Sequence, residues 1–145
     1  MMINDNGGQV ALEYMLIFAI SLILLIVFTL PLTQESVENT LDVSHTLKVK
    51  SDLSKIAQAI QQVYGEGQGS KQSVNIDSRH AVKVTVTSSY VSSKIKLNDG
   101  SSKLVKVDCN SNMAKSDINL AEGKTIIVVE WPVESKKMRI YKKLF

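Results

Sequence analysis

The chain has 145 residues, 17 basic and 14 acidic, and a formal net charge of +3. This length predicts one domain, and so small a charge does not indicate a nucleic-acid-binding protein. Its one cysteine, Cys109, excludes an intrachain disulfide. Cys109 is in phase with Val105 and Val107, which predicts a small buried residue on an alternating strand.

The N-terminal part of the chain is apolar and lacks basic residues. No Lys or Arg precedes Lys48, and Val10 to Leu32 forms a run of 23 almost wholly apolar residues. A helix of that length spans roughly 34 Å, enough to cross a bilayer core. An ordinary cleaved signal needs a basic start and a small-x-small site after the run, and neither is present. The run is therefore either a plain membrane anchor or a helix that is held in the membrane before assembly and later packs against other subunits.

One carboxylate, Glu13, lies inside this run. At the centre of a membrane helix it would cost roughly 2.5–3.5 kcal/mol on insertion scales, so such residues usually indicate a function. In the first helical turn, at the membrane interface, the helix dipole would favour it. Composition alone leaves both interpretations open.

The residues around Glu13 carry a family likeness. The stretch GGQVALEYMLI resembles the processing motif of archaeal type IV pilins with a class III signal peptide. Gly8 matches the glycine before the cut, Gln9 the new N-terminus, and Glu13 the glutamate at mature position five. Ala11 stands where serine is common, and the leader lacks the Lys or Arg that such leaders usually carry.

The resemblance implies a maturation and assembly route. A prepilin peptidase would remove residues 1–8 by cutting between Gly8 and Gln9, leaving 9–32 as the helix that spans the membrane and later forms the filament core. The assembly ATPase and membrane platform would then build a homo-oligomeric adhesion pilus on the archaeal cell surface. Glu13 would act in assembly by pairing with the new amine. The expected core-forming side chains of the helix are Leu12, Leu16, Ile20, Leu24 and Val27.

Two other functions stay open at this point. A minor pilin or pseudopilin would carry the same motif, whereas a single-pass membrane-anchored surface protein would form no filament. No enzyme activity, cofactor, metal or nucleic-acid partner is expected, because no P-loop, GxGxxG, GxSxG or HExxH motif occurs. His45 and His80 are far apart in sequence, have no metal-type spacing and are interpreted as surface or satisfied histidines.

After the apolar run the pattern predicts a second, amphipathic stretch of helix over 33–64. Pro31 removes a backbone donor, which predicts a kink or a short unwound stretch there. Residues of one apolar face recur at helical spacing, and the glycines of Gly65 to Ser70 predict the helix end. The predicted face is Val49, Leu53, Ile56, Ile60 and Val63.

Residues 70–145 change to a period of two and predict a β-rich head. HAVKVTVT and YVSSKIKL alternate, and Asn98 to Gly100 predict a turn between strands. KTIIVVEW predicts a central strand covered on both faces, and KKMRIYKK a lysine-protected edge strand. Four to six strands packed on the C-terminal half of the helix give an α+β fold with a small antiparallel sheet, as in type IV pilins.

Overall fold

A computed structural model describes residues 6–143, and the side chains of residues 8–143. Residues 1–5 of the predicted leader lie outside the described part. One helix precedes seven strands there: α1 (Asn6–Glu66), β1 (Lys71–Ser78), β2 (Val82–Val86), β3 (Tyr90–Lys96), β4 (Ser102–Asp108), β5 (Ser116–Leu120), β6 (Gly123–Glu130) and β7 (Arg139–Lys143).

The helix α1 runs for 61 residues and passes through Pro31 without a break. Close to the proline, the Thr33 hydroxyl donates to the carbonyl oxygens of Thr29, at 3.1 Å, and Leu30, at 2.8 Å. These bonds add local hydrogen bonding near the one position that has no N–H. The predicted unwound stretch is therefore absent, while a kink at Pro31 stays a prediction.

The chain divides into two compact units, Met1–Leu41 and Asp42–Phe145. The described part of the first unit is α-helical and solvent-exposed. The second unit contains the C-terminal end of α1 and all seven described strands. We call this second unit the head.

Within the head, α1 buries the face that its sequence predicts. Val49, Leu53, Ile56, Ile60 and Val63 are all buried, and glutamines such as Gln58 and Gln61 on the other face are exposed.

The helix ends where the glycines predict. Gly67 has a φ of 86°, and its N–H donates to the Val63 carbonyl oxygen at 3.1 Å. This is an αL cap, which satisfies one of the carbonyls left free at a helix end.

The seven strands form two antiparallel sheets. The first has the order β1-β6-β7 and the second β4-β3-β2-β5. The prediction of a single sheet with four to six strands was therefore wrong in strand number and in sheet number. It named neither β1 (KQSVNIDS) nor β5 (SDINL), because each carries only two large apolar side chains.

The other strand predictions are confirmed. β6 lies between β1 and β7, and β7 is an edge strand. Buried Ile127 and Val129 on one face of β6, and buried Val128 on the other, show that both faces of that strand are covered. The turn between β3 and β4 places Gly100 at a φ of 81°.

Helix and sheets share one core. Ile56 of α1, Val86 of the four-stranded sheet and Ile127 of the three-stranded sheet are each fully buried in the same apolar cluster. Cys109, just after β4, is buried as predicted and unpaired. Burial, and then the neighbouring Asp108 carboxylate, raise the pKa of its thiol. The α+β layout expected of a type IV pilin-like chain is confirmed.

Candidate functional site

The bond proposed for cleavage lies in the first turn of α1. The helix begins at Asn6, so the Gly8–Gln9 peptide is already helical. Glycine is a poor helix former, and helix ends fray most easily. The pair Gly7 and Gly8 therefore lowers the helix propensity of this turn, which favours its unwinding into the extended form that a peptidase needs.

Glu13 lies four residues after Gln9 on α1, where its side chain is exposed. Within residues 8–143 no ion pair or hydrogen bond to its carboxylate is formed. A carboxylate placed among apolar side chains needs a partner once water is removed. No described residue of the uncleaved chain supplies such a partner.

The five side chains predicted to form a filament core are all exposed. Their exposed fractions lie between 49% and 69%. Their spacing of four, four, four and three residues keeps them along one slowly drifting face of the helix. These residues are Leu12, Leu16, Ile20, Leu24 and Val27.

The rest of the apolar segment is equally uncovered. α1 is long and apolar enough to cross a membrane, and none of its most apolar 18-residue window is buried. A helix that is apolar on every side requires either lipid or other protein around it.

A polar side chain within the segment is satisfied inside the helix. The Ser21 hydroxyl donates to the Ile17 carbonyl oxygen at 2.8 Å. A hydroxyl bonded to its own helix needs neither water nor a neighbouring chain. Ser21 is therefore compatible with lipid, whereas the Glu13 carboxylate has no hydrogen-bond or ion-pair partner within the described chain.

The head holds a histidine pair that sequence reasoning missed. The rings of His45 on α1 and His80 in the β1–β2 loop meet edge to face, with centroids 4.8 Å apart. Burial, and then the His80 ring, lower the pKa of His45; Arg79 acts in the same direction and Asp42 in the opposite one. No motif or spacing in the sequence around His45 or His80 predicts this contact.

Part of the basic stretch KKMRIYKK contacts the acidic residue Glu130. Glu130 on β6 accepts hydrogen bonds from the Tyr141 hydroxyl, at 2.9 Å, and from the Arg139 guanidinium. The Lys71 amine lies 3.5 Å from the same carboxylate. Burial opposes the ionisation of Glu130, but these hydrogen bonds and charges outweigh it and lower its pKa. The network joins β1, β6 and β7 and has a structural role.

Two features of the described residues bear on metal binding and catalysis. Within residues 8–143, no group of three or more His, Cys, Asp or Glu side chains could hold a metal ion. A shallow depression of about 320 Å³ lies between β1 and β6, and Asp77 is the only carboxylate among its six lining residues. The absence of enzyme activity stays a prediction.

No family model, curated protein or solved structure matches the chain. The candidate site is therefore defined by this chain's own residues: Gly8 and Gln9 in the first turn of α1, the exposed Glu13, and the uncovered apolar face that follows.

Proposed function

We propose that the chain is the structural subunit of an archaeal type IV-like adhesion pilus. The observation that carries this proposal is the long apolar segment of α1, which no part of the described chain covers, on the same helix whose C-terminal end builds the core of a head. Lipid would surround this segment in the precursor, and neighbouring copies would cover it in the filament. The sequence GGQVALE at its start supports cleavage before the apolar run, so that the helix stays on the mature protein.

The physical chemistry of the apolar segment favours assembly outside the membrane. In lipid the segment needs no protein partner, and association between such helices is weak. Once extracted into water, the same surface must be buried against neighbouring copies. At about 25 cal/mol per Å² of apolar area, a helix of this size contributes tens of kcal/mol of gross burial energy per subunit. The ordering of the subunits offsets part of this gain.

Glu13 then gains the partner that the described chain lacks. Cleavage after Gly8 creates a positively charged amine on Gln9, four residues before Glu13. Each charge alone in a dry core is costly, but the pair offset one another and fix the axial register of neighbouring helices. Cyclisation of the N-terminal glutamine would remove the amine and with it this pairing.

Two measurements test the proposal. Mass spectrometry of the mature protein should place its N-terminus at Gln9, and electron microscopy of the expressing cells should show filaments containing this chain. An N-terminus at Met1 or Met2 without filaments would instead identify a single-pass anchored surface protein. Correct cleavage with a low copy number in purified filaments would identify a minor pilin or pseudopilin.

A variant separates assembly from membrane insertion. Glu13→Gln should lower the yield of filaments strongly while the precursor still enters the membrane, because only the charge is lost. Glu122→Gln is the matched control, since Glu122 is exposed in the β5–β6 turn of the head. Immunoblots of sheared filaments and of the membrane fraction measure both effects. A normal filament yield from Glu13→Gln would remove the assembly role of this carboxylate.

A further inference from the structure

Charge is strongly segregated along the chain. Residues 1–41 contain four of the 14 acidic residues and none of the 17 basic ones, so residues 42–145 hold all 17 basic residues against 10 acidic ones. The first unit is therefore net negative and the head net positive, and this stays so after removal of residues 1–8, which takes away only Asp5 of the four carboxylates. Such segregation favours contacts between the first unit of one copy and the head of another.

The negative side of this asymmetry is concentrated just beyond the apolar run. Glu35 and Glu38 are three residues apart on α1 and exposed, and neither forms an ion pair within the described residues. Val37 and Leu41 beside them are 58% and 57% exposed. We call these four residues the acidic collar. It combines two unpaired carboxylates with an apolar surface, at a level of the helix that lies outside the apolar run.

The head carries a surface of the opposite kind on its four-stranded sheet. Lys94 and Lys96 of β3 alternate with buried Ser93 and Ile95, and therefore point away from the core. Lys94 lies opposite Leu104 of β4, which is 65% exposed. We call Lys94, Lys96 and Leu104 the basic edge.

Two other lysines of the same sheet already have ion-pair partners among the described residues, and Lys94 and Lys96 do not. Lys83 lies 2.9 Å from Asp117 and Lys106 lies 3.2 Å from Asp108. Lys94 and Lys96 have no ion pair within the described residues. Their charges are therefore available to a partner, whereas those of Lys83 and Lys106 are already partly neutralised.

Leu104 of the basic edge lies on an edge strand of the sheet, and Lys94 and Lys96 lie on β3, the strand beside it. β4 pairs with β3 on one side only, since the order is β4-β3-β2-β5. An edge strand with an exposed leucine invites association, and proteins commonly protect such edges by covering them with a helix. A helix with carboxylates and aliphatic side chains matches this edge in charge and in polarity.

We propose that the acidic collar of one copy docks on the basic edge of a second copy. Glu35 and Glu38 pair with Lys94 and Lys96, while Val37 and Leu41 cover Leu104. The second copy comes from the proposed function, on which this inference rests. The two surfaces are different, so the contact is head-to-tail and repeats without closing, as an open filament requires. It is also separate from the packing of the apolar segments.

Charge reversal tests the contact. The double variants Glu35→Lys with Glu38→Lys, and Lys94→Glu with Lys96→Glu, should each lower the filament yield about tenfold or more, because two ion pairs per contact become repulsive. The chain with all four changes should recover most of the yield. Glu122→Lys and Lys124→Glu, on the exposed head surface, are controls and should assemble normally.

Cross-linking then shows whether the contact joins two chains. Isotope-labelled and unlabelled full-length chains are mixed, assembled and treated with a zero-length carbodiimide. Cross-links between Glu38 and Lys94 should connect labelled to unlabelled chains, and their yield should fall in 1 M salt, where charge interactions are screened beyond about 3 Å. Normal yields from both reversed variants, or cross-links confined to single chains, would overturn the proposal.

The same experiment separates this inference from the proposed function. If the unmodified chain makes no filaments, the pilus proposal fails, and mixed full-length copies in detergent still report whether collar and edge meet. If filaments form but the chain with all four changes gives no higher filament yield than the double variants, the docking proposal fails and the pilus proposal stands. Unchanged unfolding midpoints of the head in every variant exclude misfolding as the cause.

Discussion

The two ends of α1 carry similar apolar side chains in opposite surroundings. Leu16 near the N-terminus is 61% exposed, whereas Ile60 near the C-terminus is fully buried against the strands. Both residues have apolar side chains, and both lie in one continuous helix. The difference is in the rest of the pattern: polar residues surround the buried face of the second stretch, and the first stretch is apolar all round. One-sided apolarity predicts packing within the chain, and all-round apolarity predicts lipid or another copy.

The largest expected difference between the two stretches comes from a matched pair of truncations. Ile60→Ala should lower the free energy of unfolding of the head by about 2–5 kcal/mol, because a fully buried side chain leaves a cavity. Ile20→Ala, at 49% exposure, should change it by less than about 0.5 kcal/mol. The fluorescence of Trp131, the only tryptophan, follows denaturant unfolding of the full chain in detergent, since its ring stacks on Tyr64 at 5.7 Å.

Equal effects from the two truncations would contradict the division of α1 into a packed and an uncovered stretch. A loss in both variants would mean that the apolar segment contributes to the stability of the head. No loss in either would mean that the C-terminal stretch is not part of the core.

A smaller loss of unfolding free energy is expected at Glu130, whose hydrogen bonds and ion pairs connect β6 to β1 and β7. Glu130→Gln should cost about 1–2 kcal/mol, since it weakens hydrogen bonds from Tyr141 and Arg139 to a charged acceptor. The pKa of Glu130 is lowered from 4.5 by these contacts against the effect of burial. Its stabilisation is therefore fully present above pH about 4.5 and is lost as the pH falls through the lower pKa of the folded state.

The measurement is the unfolding free energy of both chains from pH 7 down to pH 3. The difference in unfolding free energy between wild type and Glu130→Gln should decrease as the pH falls. Glu122→Gln serves as the control, because Glu122 is exposed and has no ion pair within the described residues. A gap that stays constant over this range would show that the ionised carboxylate contributes nothing.

The parts of the fold that depend on local pattern were predictable. The buried face from Val49 to Val63, the glycine cap after Glu66, and the turn at Gly100 all follow from spacing or from backbone preference. Each of these signals is contained within about fifteen residues of sequence.

The division into two sheets depends instead on pairing between distant segments. β1 pairs with β6, joining Lys71 to Glu130, and β2 pairs with β5, joining Val86 to Ser116. No local period encodes such a partner, and short strands with few apolar side chains give little signal of their own. The sequence motif at Gly8, Gln9 and Glu13 was visible for the opposite reason, because all its positions lie within six residues.

The smallest expected effect concerns His45, which is in the helical stretch that belongs to the head. Burial is the main cause that lowers its pKa below 6.5, and the His80 ring adds to it; Arg79 also lowers it and Asp42 raises it. The folded head therefore binds a proton at His45 less readily than the unfolded chain does. Its unfolding free energy should fall as the pH drops below about 6.5 towards the lower pKa of the folded state, and should be constant above that range as far as His45 is concerned.

Two variants separate the causes of this pH dependence. His45→Gln should abolish the part of the decline between pH 7 and pH 5 that comes from His45. His80→Gln should only reduce that part, because it removes the neighbouring ring and leaves the burial of His45 in place. Unfolding of the full chain, followed by Trp131 fluorescence at several pH values, gives the slopes. If wild type and His45→Gln have the same slope, the edge-to-face pair at 4.8 Å does not couple protonation to the stability of the head, and the contrast between the stretches of α1 is one of apolar packing alone.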